Sequence, residues 1–128
     1  MALTKSTVSV FNTNTMTAGG ADAYSAEIDV TAAYSGSVVC LKLTNGATGP
    51  TVAGEIWVEI GVDENDTGGA DIWYEWGGHF SNGTGNAGSQ SWCVDLPFGA
   101  RLFRVGRGSN TDEDVVCEAW LQKVTALA

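Results

Sequence analysis

A chain of 128 residues and 13.3 kDa fits one domain, since single domains usually run to roughly 100–200 residues. Surface scaling gives about 6,500 Å² folded against about 19,000 Å² unfolded, enough burial for one core without disulfides or metals. Six Lys and Arg against fifteen Asp and Glu leave a net charge of −9, which repels a phosphate backbone, and no apolar run nears the ~20 residues of a membrane helix.

Seventeen glycines, two prolines and recurrent Thr, Val and Trp read as all-β. The opening Met1–Ser6 has no apolar stretch of the kind a signal peptide carries, so synthesis in a cytosol is expected. Residues 1–6 read as a short polar arm. The first strand is expected at Thr7–Phe11, followed by a polar stretch, Asn12–Gly20. In the second, Tyr24–Val30, Tyr24, Ala26, Ile28 and Val30 alternate with Ser25, Glu27 and Asp29. In the third, Ser37–Thr44, Val39, Leu41 and Leu43 face away from Val38, Cys40 and Lys42.

Asn45–Pro50 is a turn. The fourth strand, Gly54–Asp63, sets Ile56, Val58, Ile60 and Val62 against Glu55, Trp57, Glu59 and Gly61. An acidic turn, Glu64–Gly69, leads to the fifth, Asp71–Trp76. Gly77–Ser89 is then the longest irregular stretch. The sixth strand is Gln90–Leu96, the seventh Arg101–Val105 and the eighth Val115–Val124, the last two separated by Gly106–Asp114. Eight short strands with one-sided alternation predict one domain over 1–128, an eight-stranded antiparallel β-sandwich with a jelly roll as its leading arrangement and an immunoglobulin-like sandwich second.

Chemistry is sparse. Cys40, Cys93 and Cys117 lie in apolar strand patterns without metal-ligand spacing, and His79 is the sole histidine. Buried, reduced thiols are expected, with an interchain disulfide as the alternative. Gly77-Gly78-His79-Phe80 is no nucleophile elbow. Glu55 and Glu59 read as solvated carboxylates on one strand face. The acidic turns Asp63–Asp71 and Asp112–Asp114 could be considered for calcium but depart from a calcium-loop pattern. No cofactor and no metal are expected.

Five tryptophans cannot share one inner face. Trp57, Trp73 and Trp76 are candidates for an outward interface or a sugar platform. Arg101, Arg104 and Arg107 form a basic cluster in which Arg104 could pair with acidic groups, within the chain or on a neighbour.

Three segments carry a resemblance: the opening Met1-Ala2-Leu3-Thr4-Lys5-Ser6-Thr7-Val8-Ser9-Val10, the strand and turn Leu41–Thr51, and the close Gly108–Thr111 through Leu121–Leu127. Together they resemble the small jelly-roll head-decoration (cement) proteins of tailed bacteriophages. The resemblance implies a non-enzymatic structural protein on the capsid exterior, synthesised in the host cytoplasm. It implies the major capsid protein as partner and a homotrimer or other small homo-oligomer, without nucleic acid or membrane. The expected contacts are Ala2, Leu3, Thr4 and Lys5 of the arm with Trp57, Trp73, Trp76 and Arg104. The alternatives are a carbohydrate-binding module on a virion fibre and a tail or neck component.

Overall fold

The computed structural model describes residues 3–16, 19–30, 37–63, 65, 68–97 and 100–127, with side chains at all of these except 3–6, 11–14, 16 and 124–127. Among the described residues there are nine strands and no helix: β1 (Leu3–Met16), β2 (Ala23–Tyr24), β3 (Ile28–Asp29), β4 (Ser37–Asn45), β5 (Glu55–Val62), β6 (Ile72–Ser81), β7 (Ser89–Leu96), β8 (Leu102–Gly108) and β9 (Val115–Leu127). One sheet has the order β1-β9-β4-β7. The other has the order β2-β8-β5-β6, with β3 also paired to β8. Every pairing is antiparallel. With β2 and β3 taken as two pieces of one strand, the orders become 1-8-3-6 and 2-7-4-5, the jelly-roll arrangement of two interlocked Greek keys.

The expected second strand is broken for a local reason. Ser25 donates its backbone N–H to the Val105 carbonyl (2.8 Å), while its hydroxyl oxygen accepts the Val105 N–H (2.9 Å). A side chain thus replaces a main-chain acceptor in the ladder, and regular pairing lapses between β2 and β3.

Two other strands are longer than the sequence suggests. β1 runs from Leu3 to Met16, so the arm expected at 1–6 is, from Leu3 on, strand paired with the end of β9, and the polar stretch expected from Asn12 is strand as far as Met16. β6 continues through Gly77-Gly78-His79-Phe80 to Ser81, where a loop was expected. Its register shifts between Val58↔Trp76 and Trp57↔His79, so two extra residues, Gly77 and Gly78, bulge out of the ladder. Both have positive φ, 84° and 79°, a conformation glycine adopts without the Cβ penalty.

The core lies between the sheets. Val39, Leu41 and Leu43 of β4 meet Ile56 and Val58 of β5 and Phe103 and Val105 of β8, all fully buried. Val115, Cys117, Ala119 and Leu121 complete it from β9. Phe80 and Trp92 close one side, with ring centroids 5.4 Å apart. The period-2 pattern of these strands is therefore the core stripe.

Candidate functional site

The outer face of the β2-β8-β5-β6 sheet brings aromatic and charged side chains from four strands together. Trp57, Glu59 and Gly61 of β5 alternate with its core residues and so project outward. Register places His79, Glu75 and Trp73 of β6 beside them, and Gly106, Arg104 and Leu102 of β8 on the other side. Tyr24 reaches the same face from β2, where it pairs with Gly106.

These side chains interlock. The Trp57 ring lies over Gly106, where a Cβ would come within 2.3 Å of the indole. It stacks on His79, with centroids 4.3 Å apart and planes 5° from parallel, and meets Tyr24 edge-on at 6.2 Å. Its Nε1–H donates to Glu59 Oε2 at 2.7 Å. The other Glu59 oxygen accepts from Arg104 Nε (3.0 Å) and Nη2 (2.8 Å). The Arg104 guanidinium in turn lies between the Tyr24 ring (3.9 Å) and the Trp73 ring (4.3 Å). The result is a second packed layer outside the sheet. Trp57 is 3% exposed and Glu59 6%.

Two expectations are corrected here. Glu59 is a buried, ion-paired carboxylate and not a solvated one. Trp57 does point away from the core, but its ring is covered by His79, Tyr24 and the β8 backbone and offers no open platform. Arg104 is engaged within the chain by Glu59. Trp73 is half-buried over Gly61 and beside Arg104.

His79 Nδ1 is 3.1 Å from Glu55 Oε2, and Nε2 is 2.9 Å from Glu75 Oε1. Desolvation pulls its pKa down, but the two carboxylates outweigh that and raise it above the ordinary histidine value.

Trp76 behaves differently. It pairs with Val58 and so belongs to the core-facing side of β6, yet it is 41% exposed, and its Nε1–H donates to the Asp95 carbonyl of β7 at 2.8 Å. Tyr74 (56% exposed) pairs with Ile60, and Val62 (42%) pairs with Ile72. The core-facing sides of β5 and β6 thus run out past the cover of the opposite sheet, leaving a contiguous apolar rim. Ile60 and Val62, expected on the same face as Ile56 and Val58, lie on this rim, Ile60 partly buried and Val62 exposed.

Of the expected arm contacts, Ala2 lies outside the described residues. Leu3, Thr4 and Lys5 stand in β1 opposite Leu127, Ala126 and Val124 of β9. β1 is the outermost strand of its sheet among the described residues.

The cysteines divide. Cys117 is buried in the core, and burial raises its pKa. Cys40 is half-buried and Cys93 exposed, which corrects the expectation of three buried thiols. The two face each other across β4 and β7, with Sγ atoms 3.1 Å apart. Burial, with the adjacent Cys93 thiol, pushes the Cys40 pKa up to about 11.

The acidic turns brace the loops. The Asp63 carboxylate accepts the Gly68 N–H (2.8 Å) and lies 3.6 Å from Arg101, and Asp71 accepts the Asn65 N–H (3.2 Å). Asp112 accepts from both the N–H and the hydroxyl of Thr51 (2.8 and 2.6 Å), which lowers its pKa.

No family model and no curated protein sequence matches the chain. Solved structures do. A chain of infectious bursal disease virus, Gt strain, matches with a TM-score of 0.51 at 12% identity, over 95% of this chain and 32% of that one. The Gx strain of the same virus gives 0.49 at 14% identity, over 93% and 31%. A family 16 carbohydrate-binding module gives 0.48 at 11% identity, over 81% and 70%. This chain therefore spans about a third of the viral chains it matches. At such identities the likeness is one of fold, and that fold is the all-β sandwich.

Proposed function

We propose that this chain is a structural protein of a tailed-phage particle that binds the outer surface of the capsid and holds neighbouring shell subunits together. The observation that carries the reading is the apolar rim of Val62, Tyr74 and Trp76 on β5 and β6. An apolar strip beside a charged sheet face has the anatomy of an interface, an apolar centre inside a polar border. The net charge of −9 keeps the unbound protein soluble while the rim waits for its partner. The jelly roll is a rigid carrier for such a strip, and β1 adds an outer strand at the far side of the other sheet, where Leu3, Thr4 and Lys5 meet a neighbour. The resemblance of the opening, middle and closing segments to head-decoration proteins names the shell as that partner. Binding only the assembled shell stabilises it by mass action.

Quantitative mass spectrometry of purified particles of a phage that encodes the chain tests this. Hundreds of copies in fixed ratio to the major capsid protein are expected, and Tyr74→Ser with Trp76→Ser should cut retention on shells at least about tenfold, the loss of about 1.4 kcal/mol or more of contact. A handful of copies, or none, overturns the reading. So do shells that resist heat and low salt equally well without the protein.

A second reading, a carbohydrate-binding sandwich, rests on Tyr24 and Trp73, which flank Arg104 on the outer sheet face with part of each ring open to solvent. Aromatic rings beside charged hydrogen-bonding groups suit a sugar. A glycan array with no hits, and tryptophan emission unchanged by host polysaccharide, would remove it.

A further inference from the structure

Cys40 and Cys93 lie directly opposite each other on β4 and β7, in a register that runs unbroken from Ser37↔Leu96 to Thr44↔Ser89. Directly opposed residues in an antiparallel pair have Cα atoms roughly 4.5–5.5 Å apart, inside the roughly 4.4–6.8 Å span that a disulfide bridges. The sulfurs are already 3.1 Å apart, so closing the bond needs rotation of the side chains and no movement of the strands. The pair stands on the outer face of the sheet, at the end of a row Ser9–Trp120–Cys40–Cys93 that crosses all of its strands. Cys40 has Trp120 on its inner side, while Cys93 is exposed on β7, the last strand of this sheet among the described residues.

We propose that Cys40 and Cys93 are an oxidisable dithiol, closed to an intrachain disulfide by a small disulfide oxidant such as oxidised glutathione, and that the bond ties strand β7 to β4. The exposed Cys93 reacts first. Its thiolate attacks one sulfur of oxidised glutathione, the glutathione S–S bond breaks, and one glutathione leaves as thiolate. Cys40 then gives up its proton and attacks the Cys93 sulfur of the mixed disulfide. The Cys40–Cys93 bond forms and the second glutathione departs. The two protein thiols are oxidised, one glutathione disulfide is reduced, and the two cysteine protons end on two glutathione thiols. The pair serves the fold whether or not the rim binds a shell. A cross-link between residues 53 apart restricts the unfolded chain and fastens a strand at the margin of the sandwich.

The folded protein is incubated with oxidised glutathione, quenched with iodoacetamide, and read by intact mass and a non-reducing peptide map. The expected result is a loss of two hydrogens, a single peptide link between Cys40 and Cys93, and a melting temperature higher by about 5–15 °C than that of the reduced protein. Cys93→Ser should give neither the link nor the rise. A stable glutathione adduct on Cys93, carboxamidomethylation of both thiols after oxidation, or a covalent dimer in place of the internal link each overturns the proposal.

Discussion

The imidazole of His79 lies flat on the indole of Trp57, 4.3 Å between centroids and 5° from parallel, with a carboxylate at each of its nitrogens. A neutral imidazole has one N–H and one lone pair, so only one of Glu55 and Glu75 could receive a hydrogen bond from it. The imidazolium satisfies both, and its charge is also attracted to the indole face. The packed outer layer therefore prefers its histidine protonated.

The consequence for pH follows directly. The pKa of His79 in the folded protein lies above its ordinary value of 6.5, so the group's stabilisation is complete below that value and fades as pH rises through the folded pKa. Because the ring is partly exposed, solvent screening limits the effect to about a few tenths of a kcal/mol. Melting temperature should therefore decline slightly from about pH 6 to pH 8 on this account. The His79 ring protons, followed by NMR, should titrate above 6.5, and Glu55→Gln and Glu75→Gln should each bring the midpoint down. A midpoint at or below 6.5 would contradict the geometry.

Glu59 and Arg104 offer a sharper test. Glu59→Gln leaves the Arg104 guanidinium between Tyr24 and Trp73 without its counter-charge and should destabilise the protein by about 2–4 kcal/mol in urea unfolding. The pair replaced together, Glu59→Gln with Arg104→Met, should be markedly more stable than Glu59→Gln alone, because no charge is then stranded and the glutamine oxygen still accepts from the Trp57 Nε1–H. Equal losses for the single and double variants would mean that the ion pair is not what holds this layer.

Gly106 is the seat of Trp57. An added methyl would press on the indole at 2.3–2.6 Å, so Gly106→Ala should cost about 1–3 kcal/mol and shift tryptophan emission to the red as the ring is displaced. Gly85, with nothing near a built Cβ and no positive φ, is the control, and Gly85→Ala should stay within about 0.5 kcal/mol of the parent.

The rim and the core should separate cleanly. Tyr74→Ser removes a ring that is mostly in water and should change stability by less than about 0.5 kcal/mol. Leu41→Ala opens a cavity at a fully buried site and should cost about 3–5 kcal/mol. A large loss at Tyr74 would place that ring in the fold and take it away from a partner.

Alternation alone makes the core legible in the sequence. Val39, Leu41 and Leu43, and Ile56 and Val58, face inward as the period of two requires. The same alternation set Trp57 and Glu59 on the other side of β5, but a period says which side a residue takes, not what lies over it. Their cover comes from Tyr24, His79 and Arg104, far away in sequence and brought together by register alone. Cys40 likewise reads as outward from its own strand, whereas Cys93 as its partner depends on the pairing of β4 with β7. Gly77-Gly78 reads as loop because glycine usually interrupts strands, and here the strand carries the interruption and resumes. Ser25 gave no period signal for the break between β2 and β3, since the break arises from one hydroxyl acting as a backbone carbonyl.

The two-residue step at Gly77-Gly78 also sets how β6 tolerates changes in length. Sidedness along an uninterrupted strand has a period of two, so adding or removing residues in pairs preserves which side every later residue faces. Loss of both glycines would still leave His79 against Trp57 and Phe80 against the core. Loss of one would leave a single-residue bulge, like the step in β1 between Ser9↔Trp120 and Phe11↔Ala119, so the glycine that remains could take up the register step and keep β6 aligned with β5.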